Sequence, residues 1–303
     1  MSTPILDAAG AFQRYLDIAP RLPAPGTLPR VSEYREHLGE LVNDIDVFVL
    51  DGFGVLNVGF DPVPHAAARL DELRAAGCAL RVLTNGATQP STVTHAKYQR
   101  WGMDIALHEV VSSRDALARE LARSSESLEW GFMAKPISEL EQLVPRHRLL
   151  GDDPADYQAV DGFVLLGAGE WSDTRQSMLQ EALTERRRPV LVGNPDLVAP
   201  FSDVFTREPG LYAHALADAG VADPAFFGKP FDNAFEIVQE SLQGVDPKRI
   251  AMVGDTLHTD ILGGAAAGWK TVLITGLGLM RDLDVEKGIL KAGIRPDYIV
   301  STT

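Results

Sequence analysis

Short apolar runs alternate with longer stretches of helical spacing along most of this chain. Val47-Phe48-Val49-Leu50 is one such run, and others occupy residues 79–83, 109–112, 250–253 and 271–274. Runs of this length with little polar alternation read as strands covered on both faces, the condition of a parallel sheet. Between them, Leu70 and Leu73 mark the buried face of a helix over 66–76, which Gly77 closes with a left-handed stop. Helices are likewise predicted over 92–101, over 231–242 (apolar Phe231, Phe235, Val238 and Leu242) and over 260–267, ending at Gly268. Tyr34, Leu38, Leu41 and Val42 recur at helical spacing, predicting a further helix laid on the first strand. Alternating strand and helix predicts an α/β fold with a doubly wound, Rossmann-like parallel sheet and right-handed crossovers.

The pattern is interrupted once. Around residues 124–129 the composition turns polar, and a second series begins with strand-like segments at 130–133, 162–166 and 189–192 and helical stretches at 137–143 and 173–187. The first pattern resumes near Phe227. The expected organisation is an N-terminal extension (1–43), a core built from 44–127 and 223–303, and an α/β cap (128–222) inserted into it. The extension holds Pro20, Pro23, Pro25 and Pro29 after a short helix expected around 11–18.

Composition narrows the function. A formal net charge of −14 over 303 residues argues against a nucleic-acid or anionic-membrane surface, each of which needs a basic footprint. No run of 18 apolar residues and no basic start followed by an apolar core is present, so the expected location is cytoplasmic. Cys78 is the only cysteine, which rules out an intrachain disulfide and a zinc cluster, and packing at a helix end is its expected role. The expected partner is a small metabolite. If it is anionic, Lys229 and a divalent cation must supply a local positive focus.

Four residues carry the chemistry. Asp51 and Asp255 each follow an apolar run, and Thr84 and Lys229 lie in order between them. Singly, each has an ordinary reading: Asp51-Gly52 as a hairpin turn, Gly254-Asp255 as a strand-end turn, Thr84-Asn85 as a helix cap, Lys229-Pro230 as a helix start. A doubly wound sheet, however, gathers strand ends at one edge, which makes a shared phosphoryl-transfer site of them.

In sequence the segments read Val49-Leu50-Asp51-Gly52-Phe53-Gly54-Val55-Leu56, Leu83-Thr84-Asn85-Gly86, Gly228-Lys229-Pro230 and Val253-Gly254-Asp255-Thr256-Leu257-His258-Thr259-Asp260. This set resembles the four motifs of the haloacid dehalogenase (HAD) superfamily of phosphohydrolases. The continuation to Thr275-Gly276, with Gly193-Asn194-Pro195-Asp196 in the insertion, resembles its class IIA branch, the NagD-like and 4-nitrophenylphosphatase-like enzymes. The resemblance spans about residues 44 to 300. It implies a HAD core with a C2-type cap, and an aspartyl-phosphate formed on Asp51. Mg²⁺ would be held by Asp51, the Phe53 main-chain oxygen and Asp255, with the phosphoryl group bound by Thr84, Asn85 and Lys229. Asp260 is expected to orient Lys229 or its loop, with a helix N-cap as the alternative. Asn194 and Asp196 are expected at the mouth of the site, with an ordinary turn as the alternative, and the same two readings hold for the loop 206–210.

One position departs from the family. Phosphatases of this superfamily carry a second aspartate two residues after the nucleophile, which protonates the leaving group, and here that position is Phe53. General acid–base help is worth about 10²- to 10⁴-fold in rate. Three readings follow. The substrate has a good leaving group, such as an acyl or aryl phosphate; or His258 or a cap residue replaces the acid; or the site breaks carbon–halogen or carbon–phosphorus bonds, as superfamily members lacking that aspartate do. The intact Gly254-Asp255 loop disfavours dehalogenation, which needs no metal. The main expectation is a Mg²⁺-dependent hydrolase of a small phosphorylated metabolite. Its rival is a catalytically silent phosphate-binding module whose extension serves a partner or a twin subunit, making a homodimer one expected assembly.

Overall fold

The computed structural model describes residues 7–201 and 204–303; residues 1–6 of the extension and 202–203 of the insertion lie outside the described residues. Seven parallel strands form the core sheet. Their spatial order is Glu33–Tyr34, Tyr298–Val300, Lys270–Ile274, Ile250–Gly254, Val47–Leu50, Ala79–Thr84 and Val110–Ser112. From Val47–Leu50 the chain moves outward through Ala79–Thr84 to Val110–Ser112. It later returns to the other side of Val47–Leu50 and moves outward again. The strand order therefore reverses between Val47–Leu50 and Ile250–Gly254, where doubly wound sheets bind their ligands.

Sequence period explains why this sheet is buried on both faces. Phe48 and Leu50 point into one hydrophobic cluster while Val47 and Val49 point into another, and in the neighbouring strand Ala251 and Val253 divide from Ile250 and Met252 in the same way. Helices cover both sides. Ser91–Arg100 and Asp232–Glu240 match their expected positions to within two residues, and Ala66–Ala75 ends where Gly77, at φ +88°, turns the chain. Cys78 is buried just beyond that helix end, its Sγ 3.4 Å from the Ile45 carbonyl.

Three expected elements differ. The helix predicted around Tyr34 to Val42 is instead a two-residue edge strand, Glu33–Tyr34, followed by a 3-10 turn, Leu38–Leu41. Leu38 and Leu41 are buried as the spacing requires, but Tyr34 is exposed, so a single turn suffices to bury the two leucines and no helix extends back to Tyr34. The stretch 137–143 forms two short turns, Pro136–Ser138 and Leu140–Gln142. The segment expected to continue a helix from Asp260 opens with a wide turn, Leu257–Ile261, before the α-helix Leu262–Ala266.

The insertion folds as a second, five-stranded parallel sheet, and it runs to residue 226 instead of the expected 222, because Ala225–Phe226 pairs with Val190–Val192 before the chain re-enters the core. Its order is Ala225–Phe226, Val190–Val192, Gly162–Leu165, Trp130–Met133 and His147–Leu149. Beyond the strand Gly162–Leu165 the chain turns at 168–171, where the Trp171 amide donates to the Ala168 carbonyl at 3.0 Å. A hairpin, Val198–Phe201 with Val204–Arg207, hangs from this cap beside the C-terminal edge of the core sheet, and the helix Pro209–Asp218 follows it.

The N-terminal helix Ala8–Ile18 spans both bodies. Asp7 caps it by accepting from the Gly10 amide. Phe12 packs on Leu257, Ile261 and Met280 of the core, while Tyr15 and Ile18 pack with Leu197, Val198 and Phe205 of the cap. Each such side chain contributes about 1.5 to 3 kcal/mol on burial. Among the described residues, no helix is long and apolar enough to cross a membrane.

Candidate active site

Asp51 follows the strand Val47–Leu50, and its amide donates to the Val253 carbonyl at 2.9 Å. Parallel pairing of Leu50 with Val253 thus sets Asp51 and Asp255 at the same sheet edge. Asp51, Asp255 and Asp260 each offer a carboxylate oxygen within 4.8 Å of the others. Asp255 is held on two sides: its Oδ2 accepts from the Leu279 amide at 2.8 Å and its Oδ1 from the Thr256 hydroxyl at 3.0 Å. Gly278, at φ +65°, lets the backbone come this close, since a Cβ there would lie 1.6 Å from Asp255 Oδ2.

Lys229 is 1% exposed and reaches two carboxylates at once. Its ammonium lies 2.5 Å from Asp51 Oδ1 and 2.7 Å from Asp260 Oδ1. Asp260 also accepts from the Thr256 amide through Oδ2, so it both orients the lysine and closes the wide turn. Burial pushes the lysine down, but the Asp260, Asp51 and Asp196 carboxylates outweigh it and hold the ammonium above the ordinary lysine value. For Asp51, burial wins over the attraction of Lys229, and its carboxyl sits above the usual range. Burial and then the neighbouring Asp260 and Asp51 do the same to Asp255.

Asn85 ties this core to the cap. Its side-chain oxygen accepts from the Lys229 amide at 2.8 Å, and its Nδ2 donates to the Lys229 carbonyl at 3.0 Å and to Asp196 at 2.8 Å. Thr84, the preceding residue, turns its hydroxyl to accept from the Gly86 amide. In the cap, Asn194 accepts from the Asp196 amide and donates to Glu208. Asn194 thus shapes the loop, and it is Asp196 that reaches the cavity between the two bodies.

That cavity has a volume of about 20 Å³, room for one water. Asp51, Asp196 and Asp255 supply its polar side, and Tyr15, Phe53 and Phe205 are among its other walls. Sequence reasoning singled out the three acids but not Tyr15, since a tyrosine in a proline-rich extension carries no local signal. Thr206, in the loop expected at 206–210, lies instead in a strand, where its hydroxyl donates to Glu208.

His258 does not line the cavity. It is 1% exposed, stacked on Tyr15 with ring centroids 5.2 Å apart and edge-on to Phe12, and neither ring nitrogen has a hydrogen-bond partner. Burial pushes it down to about 4, so near neutrality it is the neutral imidazole and not the imidazolium a general acid needs. The candidate for a substitute acid therefore serves as packing under the N-terminal helix.

The donor set suits a hard divalent cation. Three buried carboxylates face one ammonium, which leaves uncompensated negative charge on oxygen atoms close enough to share an ion. Asp51 and Asp255 are the two of these acids that also line the cavity, whereas Asp260 is turned to Lys229.

Residues 48–140 match the family described as haloacid dehalogenase-like hydrolase, and residues 226–303 match one described as HAD-hydrolase-like. Human glycerol-3-phosphate phosphatase is 28% identical over 305 residues, covering 88% of this chain and 91% of that protein. The 4-nitrophenylphosphatase of Schizosaccharomyces pombe is 24% identical, covering 87% and 93%, and it agrees with the class IIA resemblance. Among solved structures, a possible sugar phosphatase of the HAD superfamily from Cytophaga hutchinsonii superimposes with a TM-score of 0.80 over 90% of this chain and 98% of its own, at 24% identity. That likeness is one of fold. The two family matches lie on either side of most of the cap and cover the residues that supply Asp51, Thr84, Lys229 and Asp255, so both parts of the core are similar to haloacid dehalogenase-like hydrolases.

Proposed function

We propose that the chain hydrolyses a small phosphorylated metabolite with Asp51 as the nucleophile. The observation that carries this is the contact of Lys229 with Asp51, at the edge where Asp255 lies within reach. The phosphatase names of the relatives support the same reading. In the first step an Asp51 oxygen bonds to phosphorus while the bond from phosphorus to the leaving oxygen breaks. Water then attacks phosphorus, releasing inorganic phosphate and restoring the carboxylate. Lys229 pulls Asp51 toward its ionised form and would offset charge on the phosphoryl oxygens, with the Thr84 hydroxyl and the amides after it as further donors. Asp51, the Phe53 main-chain oxygen and Asp255 would hold Mg²⁺, which supplies charge neutralisation between nucleophile and phosphate. Asp260 positions Lys229.

Phe53 cannot protonate the leaving oxygen. The substrates favoured are therefore acyl or aryl phosphates, whose leaving groups depart as anions. The test is turnover of acetyl phosphate, 4-nitrophenyl phosphate and a sugar phosphate, with and without Mg²⁺, by the native chain and by Asp51→Asn. Expected is Mg²⁺-dependent turnover of the first two, lost in the variant. Absence of Asp51-dependent turnover on all three would sink the proposal. Phe53 also favours a second reading, a silent phosphate-binding module, which predicts binding of inorganic phosphate with no turnover.

A further inference from the structure

The helix Ala8–Ile18 lies outside both family matches, yet it builds part of the cavity that holds Asp51. Tyr15 is the residue that does so. Its ring is 2% exposed, backed by the stacked His258 imidazole, and its hydroxyl accepts from the Leu197 amide at 3.2 Å, next to Asp196. Farther along, Arg14 and Arg21 both pair with Asp218 on the cap helix Pro209–Asp218, at 2.5 and 2.7 Å. The helix thereby fixes the loop bearing Asp196 against the core.

This closed arrangement has consequences for what fits. Ordinary ligand pockets measure about 300 to 1,000 Å³, whereas the space here is about 20 Å³. A phosphoryl group seated on Asp51 would share this space with the Tyr15 ring and the Asp196 carboxyl. No lysine, arginine or histidine is among the described residues lining that space. A bulky leaving group meets the ring, and one with its own carboxylate or phosphate brings a further negative charge beside the buried Asp51, Asp196 and Asp255 carboxyls, with no cation on the described cavity wall.

We propose that the N-terminal helix is part of the active site, with Tyr15 and Asp196 as specificity-determining residues that admit compact leaving groups lacking a second negative charge. The proposal rests on the phosphatase reading for its substrate class, and its test is chosen to work without turnover. Binding of methylphosphonate, phenylphosphonate and phosphonoacetate is measured by calorimetry in Mg²⁺, for the full chain and for Tyr15→Ala, Tyr15→Phe and Asp196→Asn. The native chain is expected to prefer methylphosphonate over both others by about tenfold or more, the range a small change in pocket shape commands. Tyr15→Ala is expected to relax the discrimination against phenylphosphonate by about tenfold and to leave that against phosphonoacetate in place. Tyr15→Phe, which keeps the ring and the fold, stays native-like toward phenylphosphonate, and Asp196→Asn relaxes only the discrimination against phosphonoacetate. A native chain without these preferences, or a Tyr15→Ala variant that loses affinity for all three alike, overturns the proposal. Acetyl phosphate turnover is followed in parallel. Shifted selectivity without turnover ends the phosphatase reading alone, and turnover with unshifted selectivity ends the pocket assignment alone.

Discussion

Asn85, at the end of a core strand, donates to Asp196 of the cap at 2.8 Å and with the same side chain grips both the amide and the carbonyl of Lys229. One carboxamide therefore ties cap to core and holds Lys229 in place. Replacing Asn85 by Ala strands a buried amide, a carbonyl and a carboxylate, each costing about 1 to 3 kcal/mol when left unpaired. Asn85→Ala is expected to lower the urea midpoint and to reduce turnover by more than the loss of folded protein explains. Equal specific activity per folded molecule would show that the tie has no part in catalysis.

Lys229 is flanked by two carboxylates in a site with almost no solvent, so its removal leaves like charges facing each other. Breaking a buried pair of this kind costs about 3 to 5 kcal/mol. Lys229→Met is expected to lose stability on that scale together with all turnover. Adding Asp260→Asn, which removes one of the stranded charges, is expected to recover part of the stability and none of the activity. Urea denaturation of both variants checks this, and a double variant no more stable than the single one would contradict it.

These residues were legible in the sequence because a parallel strand buried on both faces leaves a plain signal and its last residue falls at a known edge. Asp51, Thr84 and Asp255 are all placed by that rule, and Lys229 by the Gly-Lys-Pro that follows the insertion. Tyr15 was not legible. Its role depends on a helix crossing from the core to a cap loop more than 180 positions away, as its contact with Leu197 shows, and no local period encodes such a contact. His258 was misleading for a related reason: a histidine inside a motif reads as chemistry, but its neighbours Phe12 and Tyr15 arrive from the extension and seal it. The strand at Glu33–Tyr34 forms by pairing with Tyr298–Val300, which lies far along the chain.

Phe53 lines the cavity beside Asp51, and the Lys97 ammonium lies 5.3 Å from its ring centroid. Burial pushes that lysine down to about 8. Phe53→Asp would place a carboxyl where a leaving oxygen needs a proton, with Lys97 near enough to favour its ionised form for the hydrolytic step. The expected outcome is a gain of about 10²-fold or more in hydrolysis of a sugar phosphate, with little change for acetyl phosphate, whose leaving group needs no proton. Equal gains on both substrates would point to a change in site geometry instead of acid–base help.

His214, on the cap helix Pro209–Asp218, gives the fold a pH dependence independent of the site. It is 1% exposed and stacked on Phe226, with ring centroids 4.7 Å apart. Burial, then the Arg21 and Arg14 cations, push it down to about 4 against the opposing pull of Asp218. The unfolded chain, with an ordinary histidine near 6.5, binds the proton first. Stability from this group is therefore complete above about pH 6.5 and is lost as the pH falls toward 4, by on the order of 3 kcal/mol. His214→Leu is expected to flatten the dependence of the urea midpoint on pH across that window. A smaller slope persists, because His258 is buried neutral in the same way. If the variant keeps the full native slope, the imidazole is already paired when charged, and the cap helix must supply a partner other than Asp218.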